Sequence, residues 1–154
     1  MKFLHTVGAA GLTGAVAALA VVLLLAPQSA SADAYVPIVL ATAKIAAWII
    51  GPSMAITVVT GLLAMLVTPG FQDAGWVWAK AATGIVVLQG GLHVLGPLQE
   101  ESKRVAGALA NGSNPADAAR LFEAEVNTLW LLLAVSVLNI ALGVWRPRFP
   151  KYPV

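Results

Sequence analysis

Ile45–Val67, read as IAAWIIGPSMAITVVTGLLAMLV, runs without a single charged side chain. About 20 helical residues cross a hydrocarbon layer of roughly 30 Å, so this stretch is long enough to span a bilayer. It is too long and too uniformly apolar for a barrel strand, and backbone groups in lipid have to be satisfied within the segment. A transmembrane helix follows. Three more stretches have the same character: Leu4–Ala26, Ala81–Leu98 and Val126–Trp145. The expected fold is all-α, a polytopic membrane protein with four transmembrane helices in an antiparallel bundle, over about residues 4–26, 36–67, 76–109 and 115–145 as one domain.

The rest of the composition agrees. Charged residues make up 10% of the 154-residue chain and hydrophobic residues 59%, whereas a soluble domain carries roughly a quarter charged residues. An aqueous surface cannot be covered, which excludes soluble, disordered, collagen-like and coiled-coil classes. Nine Lys/Arg against seven Asp/Glu leave a net charge of +2, and the basic residues are too scattered to track a nucleic-acid backbone. With no Cys there is no thiolate metal site, iron–sulfur cluster or Cys nucleophile. HExxH, P-loop, GxSxG and EF-hand patterns are missing. The spans hold no Asp or Glu, which disfavours a carboxylate-based proton or cation pathway. Copper or small-solute transport is a third-rank reading, since copper handling favours Met and Cys and the chain has three Met.

Working outward from Ile45–Val67, Asp33 and Pro37 read as a cap and a first-turn proline, with Lys44 near the membrane boundary. Pro52, beside Gly51, cannot donate to the carbonyl of Trp48 and is expected to kink the helix. The bend serves packing, or its freed carbonyl belongs to a cofactor or substrate site. The first span also reads as a secretory signal: Met1-Lys2, an apolar run, then Ser29-Ala30-Ser31-Ala32. Its run exceeds the 7–15 residues of a typical signal, so it is kept as a helix, with Ala10, Gly14 and Ala18 as a small-residue packing face. Residues 110–114 form the polar turn of a hairpin. Around it Glu100, Glu101, Lys103 and Arg104 face Asp117, Arg120, Glu123 and Glu125, as a solvated charged face or a docking surface. Lys2, Lys80, Arg146, Arg148 and Lys151 against Lys103, Arg104 and Arg120, with Lys44 near the latter, favour both termini in the cytoplasm. Trp76, Trp78, Trp145, Phe149 and Tyr152 then make an inner aromatic belt, with Tyr35 outside.

Ionisable residues at membrane depth are rare and point to function. Here they are His5, Lys80 and His93. His5 opens the first helix and Lys80 lies one turn into the third, so both fall on one side of the membrane, where they can bind an anionic group such as a carboxylate or propionate. His93 lies about 20 Å further along its helix at 1.5 Å per residue, towards the opposite face. His5 and His93 are thus poorly placed as two axial ligands of one haem. Each is either a hydrogen-bonded interfacial imidazole or the ligand of its own haem or metal, and Gln89, one turn before His93, can orient that ring. Ser53, Thr57, Thr60, Gly61 and Ala64 form a small polar stripe on the second helix, and Ser136, Asn139 and Gly143 one on the fourth. Gly84 and Gly91 flatten the third, for close packing or for a planar macrocycle.

In order along the chain, Leu4-His5-Thr6-Val7-Gly8, Gly51-Pro52-Ser53-Met54 with Thr60-Gly61-Leu62, Trp76-Val77-Trp78-Ala79-Lys80, His93 and Val144-Trp145-Arg146-Pro147 resemble a superfamily of small bacterial membrane proteins. It includes the membrane-bound protoporphyrinogen oxidase family, the copper-resistance D membrane domain and a related uncharacterised integral membrane family, the last being the closest likeness. The resemblance implies an inner-membrane protein associated with haem b, with His5 as ligand, Lys80 as counter-charge and a redox role. The chain departs from the oxidase pattern at Glu123-Ala124-Glu125-Val126-Asn127 and at Gly91-Leu92-His93, where an aromatic–His pair is missing. The rival expectation is a non-catalytic accessory subunit, embedded in the lipid bilayer and packed against other membrane subunits or in a homo-oligomer.

Overall fold

The computed structural model describes residues 2–26, 31–68, 74–115 and 123–145. They form four helices long and apolar enough to cross a membrane. The first, α1, is Lys2–Leu24. The second, α2, joins Ala32–Ile45, a five-residue π-helical turn Ala46–Ile50, and Gly51–Val67. Then come α3, Gly75–Ala110, and α4, described from Glu123 to Trp145. Each helix packs on its neighbours in sequence, and α4 closes the ring on α1. Among the described residues the diagonal pairs, α1 with α3 and α2 with α4, do not meet.

In hydrocarbon the exclusion of water cannot drive helices together, so close packing and interhelical hydrogen bonds hold the bundle. Leu19, Val16, Val39, Ile50, Val94, Leu98, Val105 and Leu129 are fully buried between the helices. Large apolar side chains also cover the exterior, among them Phe3, Trp48, Leu66, Ile85 and Trp145, where lipid tails replace water. The seam of α1 is Gly8, Leu12, Ala15, Val16, Leu19, Ala20 and Leu23. This corrects the expected packing face: Ala10, Gly14 and Ala18 all point outward. Spacing of four marks one face of a helix, but larger residues on the adjacent face interdigitate better with α2 and α4 and take the contact.

Two more expectations need correction, and the backbone around Pro52 takes a defined form. The second helix starts a turn earlier than residue 36, because the Ser31 carbonyl accepts from the backbone of Ala34 and Tyr35. Asp33 therefore sits in the first turn and Pro37 inside the helix. Pro52 is accommodated by the π turn before it, in which the Gly51 N–H bonds to the Ala46 carbonyl five residues back. The widened turn turns Trp48, 79% exposed, towards lipid. Tyr35, expected on the outer side, is buried within the bundle rather than open to the interface.

The polar turn closes as a Schellman motif. Ser113 N–H reaches the Ala108 carbonyl and Gly112 N–H that of Leu109, with Gly112 at φ 70°. A positive φ costs a side-chain-bearing residue contact between Cβ and its own backbone, so the turn suits glycine. Asp117, Arg120, Arg146, Arg148, Phe149, Lys151 and Tyr152, and the beginning of the fourth helix after Pro115, lie outside the described residues.

Candidate functional site

At the end of the bundle formed by the start of α1 and the start of α3, polar groups face inward. The His5 Nδ1 atom lies 3.0 Å from the Thr57 carbonyl and 3.2 Å from Thr60 Oγ1. Thr57 offers only a lone pair, and the Thr60 hydroxyl donates to its own helix at Ile56. Nδ1 must therefore carry a proton, and in the neutral ring Nε2 then holds the lone pair. Among the described residues nothing hydrogen-bonds Nε2. The imidazole fits because residue 61 is glycine: a Cβ there would stand 3.3 Å from His5 Cε1.

Lys80 is held in the same way on the other side. A Cβ on Gly143 would lie 2.8 Å from Lys80 Nζ, so the ammonium occupies a notch in α4. Beside it, Asn139 Nδ2 donates to Thr83 Oγ1 at 3.0 Å and lies 3.5 Å from the Lys80 carbonyl. His5 and Lys80 come from diagonally opposed helices that do not touch, and both stand at this end of the bundle, each beside its own glycine notch. The second-helix and fourth-helix polar stripes are thus the walls that seat this pair. His93 does not join them. It is exposed, as is Gln89, and neither hydrogen-bonds the other.

Buried Ser136 belongs to the same α4 stripe, yet its hydroxyl has no hydrogen-bond partner among the described residues. An unmade buried hydrogen bond costs roughly 1–3 kcal/mol. Ser136→Ala is therefore expected to leave thermal stability in detergent unchanged or to raise it by about 1 kcal/mol. A clear loss would mean that the hydroxyl has a partner.

A second polar cluster, which composition did not reveal, lies at the opposite end. Glu101 is 6% exposed. It accepts from the Tyr35 hydroxyl and from Arg104, whose Nε lies 3.0 and 3.1 Å from its two oxygens. Arg104 Nη2 also donates to the Pro115 carbonyl at 3.1 Å. Two residues before Glu101, Gln99 Nε2 donates to the Ala43 carbonyl at 2.8 Å, just before the π turn. The expected solvated face is therefore half right. Glu100 and Lys103 pair in the open, at 74% and 72% exposure, while Glu101 turns into the bundle because Tyr35 of α2 waits there. The signal was available: Glu101 and Arg104, three apart, share a face with buried Leu98 and Val105.

A family model described as "Predicted integral membrane protein (DUF2269)" matches residues 1–147. The chain belongs to the DUF2269 family. This is the uncharacterised integral membrane family of the resemblance drawn from the motifs. No curated protein and no solved structure matches this DUF2269 chain. Its membrane character therefore rests on the family and on four spanning helices, and its chemistry on the side chains above. Among its described residues, no three His, Cys, Asp or Glu side chains gather to hold a metal ion. A haem needs fewer protein ligands. A neutral imidazole, tied by Nδ1–H to a backbone carbonyl, is the form that ligates iron through Nε2. Were such a group bound, His5 could supply a ligand and Lys80 could face a carboxylate, while His93 is exposed and stands apart from both.

Proposed function

We propose that this small integral membrane protein binds haem b or a porphyrin-like group at the His5–Lys80 end, with a redox or electron-transfer role. The observation that carries the reading is that the Thr57 carbonyl engages His5 Nδ1, so that a neutral ring offers Nε2 at the end of the bundle that also holds Lys80. Bound iron would supply one-electron chemistry. The protein's own part is to orient the imidazole through Thr57 and Thr60, and to neutralise a carboxylate with Lys80. The proposed setting is the bacterial inner membrane with both termini cytoplasmic, following the excess of Lys and Arg on the His5 side.

Protein purified from haem-replete cells is expected to show a Soret band. His5→Ala should abolish or shift it, Lys80→Met should weaken it, and His93→Ala should leave it in place. Colourless protein, or a band indifferent to His5, overturns the reading. The second reading, a non-catalytic accessory subunit, is favoured by Ala10, Gly14 and Ala18, which face away from the bundle and would let a partner helix approach closely. Stoichiometric co-purification of a partner without bound pigment would select it.

A further inference from the structure

The outward face of α3 carries a pattern that lipid alone does not call for. Ala82, Ile85, Gln89, Leu92 and Gly96 are all exposed, at alternating intervals of three and four residues. An interval averaging 3.5 is the seam along which two helices wrap one another. Gln89 sits at the centre of the uncharged run, nine residues after Lys80 and eleven before Glu100, about 14 Å from the first at 1.5 Å per residue. No described residue hydrogen-bonds its carboxamide, so this chain leaves a polar group facing hydrocarbon at mid-depth, where it has to find a partner.

We propose that the partner is a second copy of this chain, paired through parallel α3 helices about a two-fold axis along the membrane normal. Such an axis brings Gln89 opposite Gln89 at the same depth whatever the tilt. A carboxamide both donates and accepts, so two of them satisfy each other reciprocally, whereas an unrelated helix would need a matching polar group at that level. Leu92 and Ile85, 53% and 67% exposed, supply the knobs on either side. At Gly96 a side chain would meet nothing of this chain within 4 Å, so the copies approach most closely there. The single polar position in the seam fixes register, as a lone Asn does in a leucine zipper.

The absence of Cys makes the test direct. Single-cysteine probes in the full chain, oxidised in native membranes, are expected to give disulfide-linked homodimers for Ile85→Cys and Leu92→Cys but not for Gly14→Cys on α1 or Val59→Cys on α2. In liposomes, energy transfer between labelled copies should show Gln89→Leu weakening association about tenfold, the loss of one or two interhelical hydrogen bonds. Gln89→Asn should retain most of it. Monomeric protein in liposomes overturns the proposal, as do cross-links confined to Gly14→Cys, adducts only with another protein, or association unmoved by Gln89→Leu. Pigmentation does not enter these readouts, so the result stands apart from that of the haem test.

Discussion

Arg104→Met is expected to destabilise the protein by about 3 kcal/mol, because removing one partner of a buried pair leaves a charge without compensation. Glu101 is nearly inaccessible and Arg104 one-third exposed. The methionine retains the stem that covers α3 but withdraws both the bidentate contact to Glu101 and the bond to the Pro115 carbonyl. Unfolding in detergent, followed by tryptophan fluorescence, measures the loss. Lys103→Met is the control: its ion pair is open to solvent, and such pairs contribute about 0–1 kcal/mol. If Arg104→Met costs no more than Lys103→Met, the inner pair is not structural. Adding Glu101→Gln to Arg104→Met should recover part of the loss, since a neutral amide keeps the Tyr35 contact without demanding a cation.

Gly8→Val should have an effect of similar size at the other end. A Cβ at residue 8 would lie 2.6 Å from Thr57 Oγ1 and 3.1 Å from the Ser53 carbonyl. The first atom is held by its own hydrogen bond to Ser53 and the second is backbone, so neither can yield cheaply. Helix α1 has to move away from α2, at a cost of about 3 kcal/mol, the upper part of the range for overpacked cores. His5, one turn earlier on the same seam, loses its grip on Thr57. Gly14→Val, where nothing lies within 4 Å, is the matched control. Equal unfolding midpoints for the two variants would refute the close approach.

The spans were legible because hydrocarbon imposes one simple demand, roughly 20 residues without a charge, and the uncharged runs meet it. The same-side placement of His5 and Lys80 followed from alternating topology. The residues that seat them were visible as polar stripes, but periodicity does not say which neighbour a stripe meets. Thr57 and Thr60 turned out to hold an imidazole, and Gly61 and Gly143 to make room for the ionisable pair. Inward and outward faces were harder to read, because a lipid-facing surface is as apolar as a core. Hydrophobicity therefore could not tell the Ala10–Gly14–Ala18 face from the Gly8–Leu12–Val16 face. The Tyr35–Glu101–Arg104 cluster was marked only by the helical spacing of Glu101 between Leu98 and Val105, and its partner Tyr35 comes from the first turns of the long α2.

That length gives the π turn a meaning beyond relieving Pro52. One extra residue in a turn changes the rotational phase of everything before it by about 100° relative to everything after it. The N-terminal half of α2 is fixed by Tyr35 on Glu101 and by the Ala43 carbonyl on Gln99. Its C-terminal half is fixed by Thr57 against His5. A regular helix would have to favour one alignment at the expense of the other. The spare residue lets one continuous helix mesh with two sets of partners at different angles, each half keeping its own contacts.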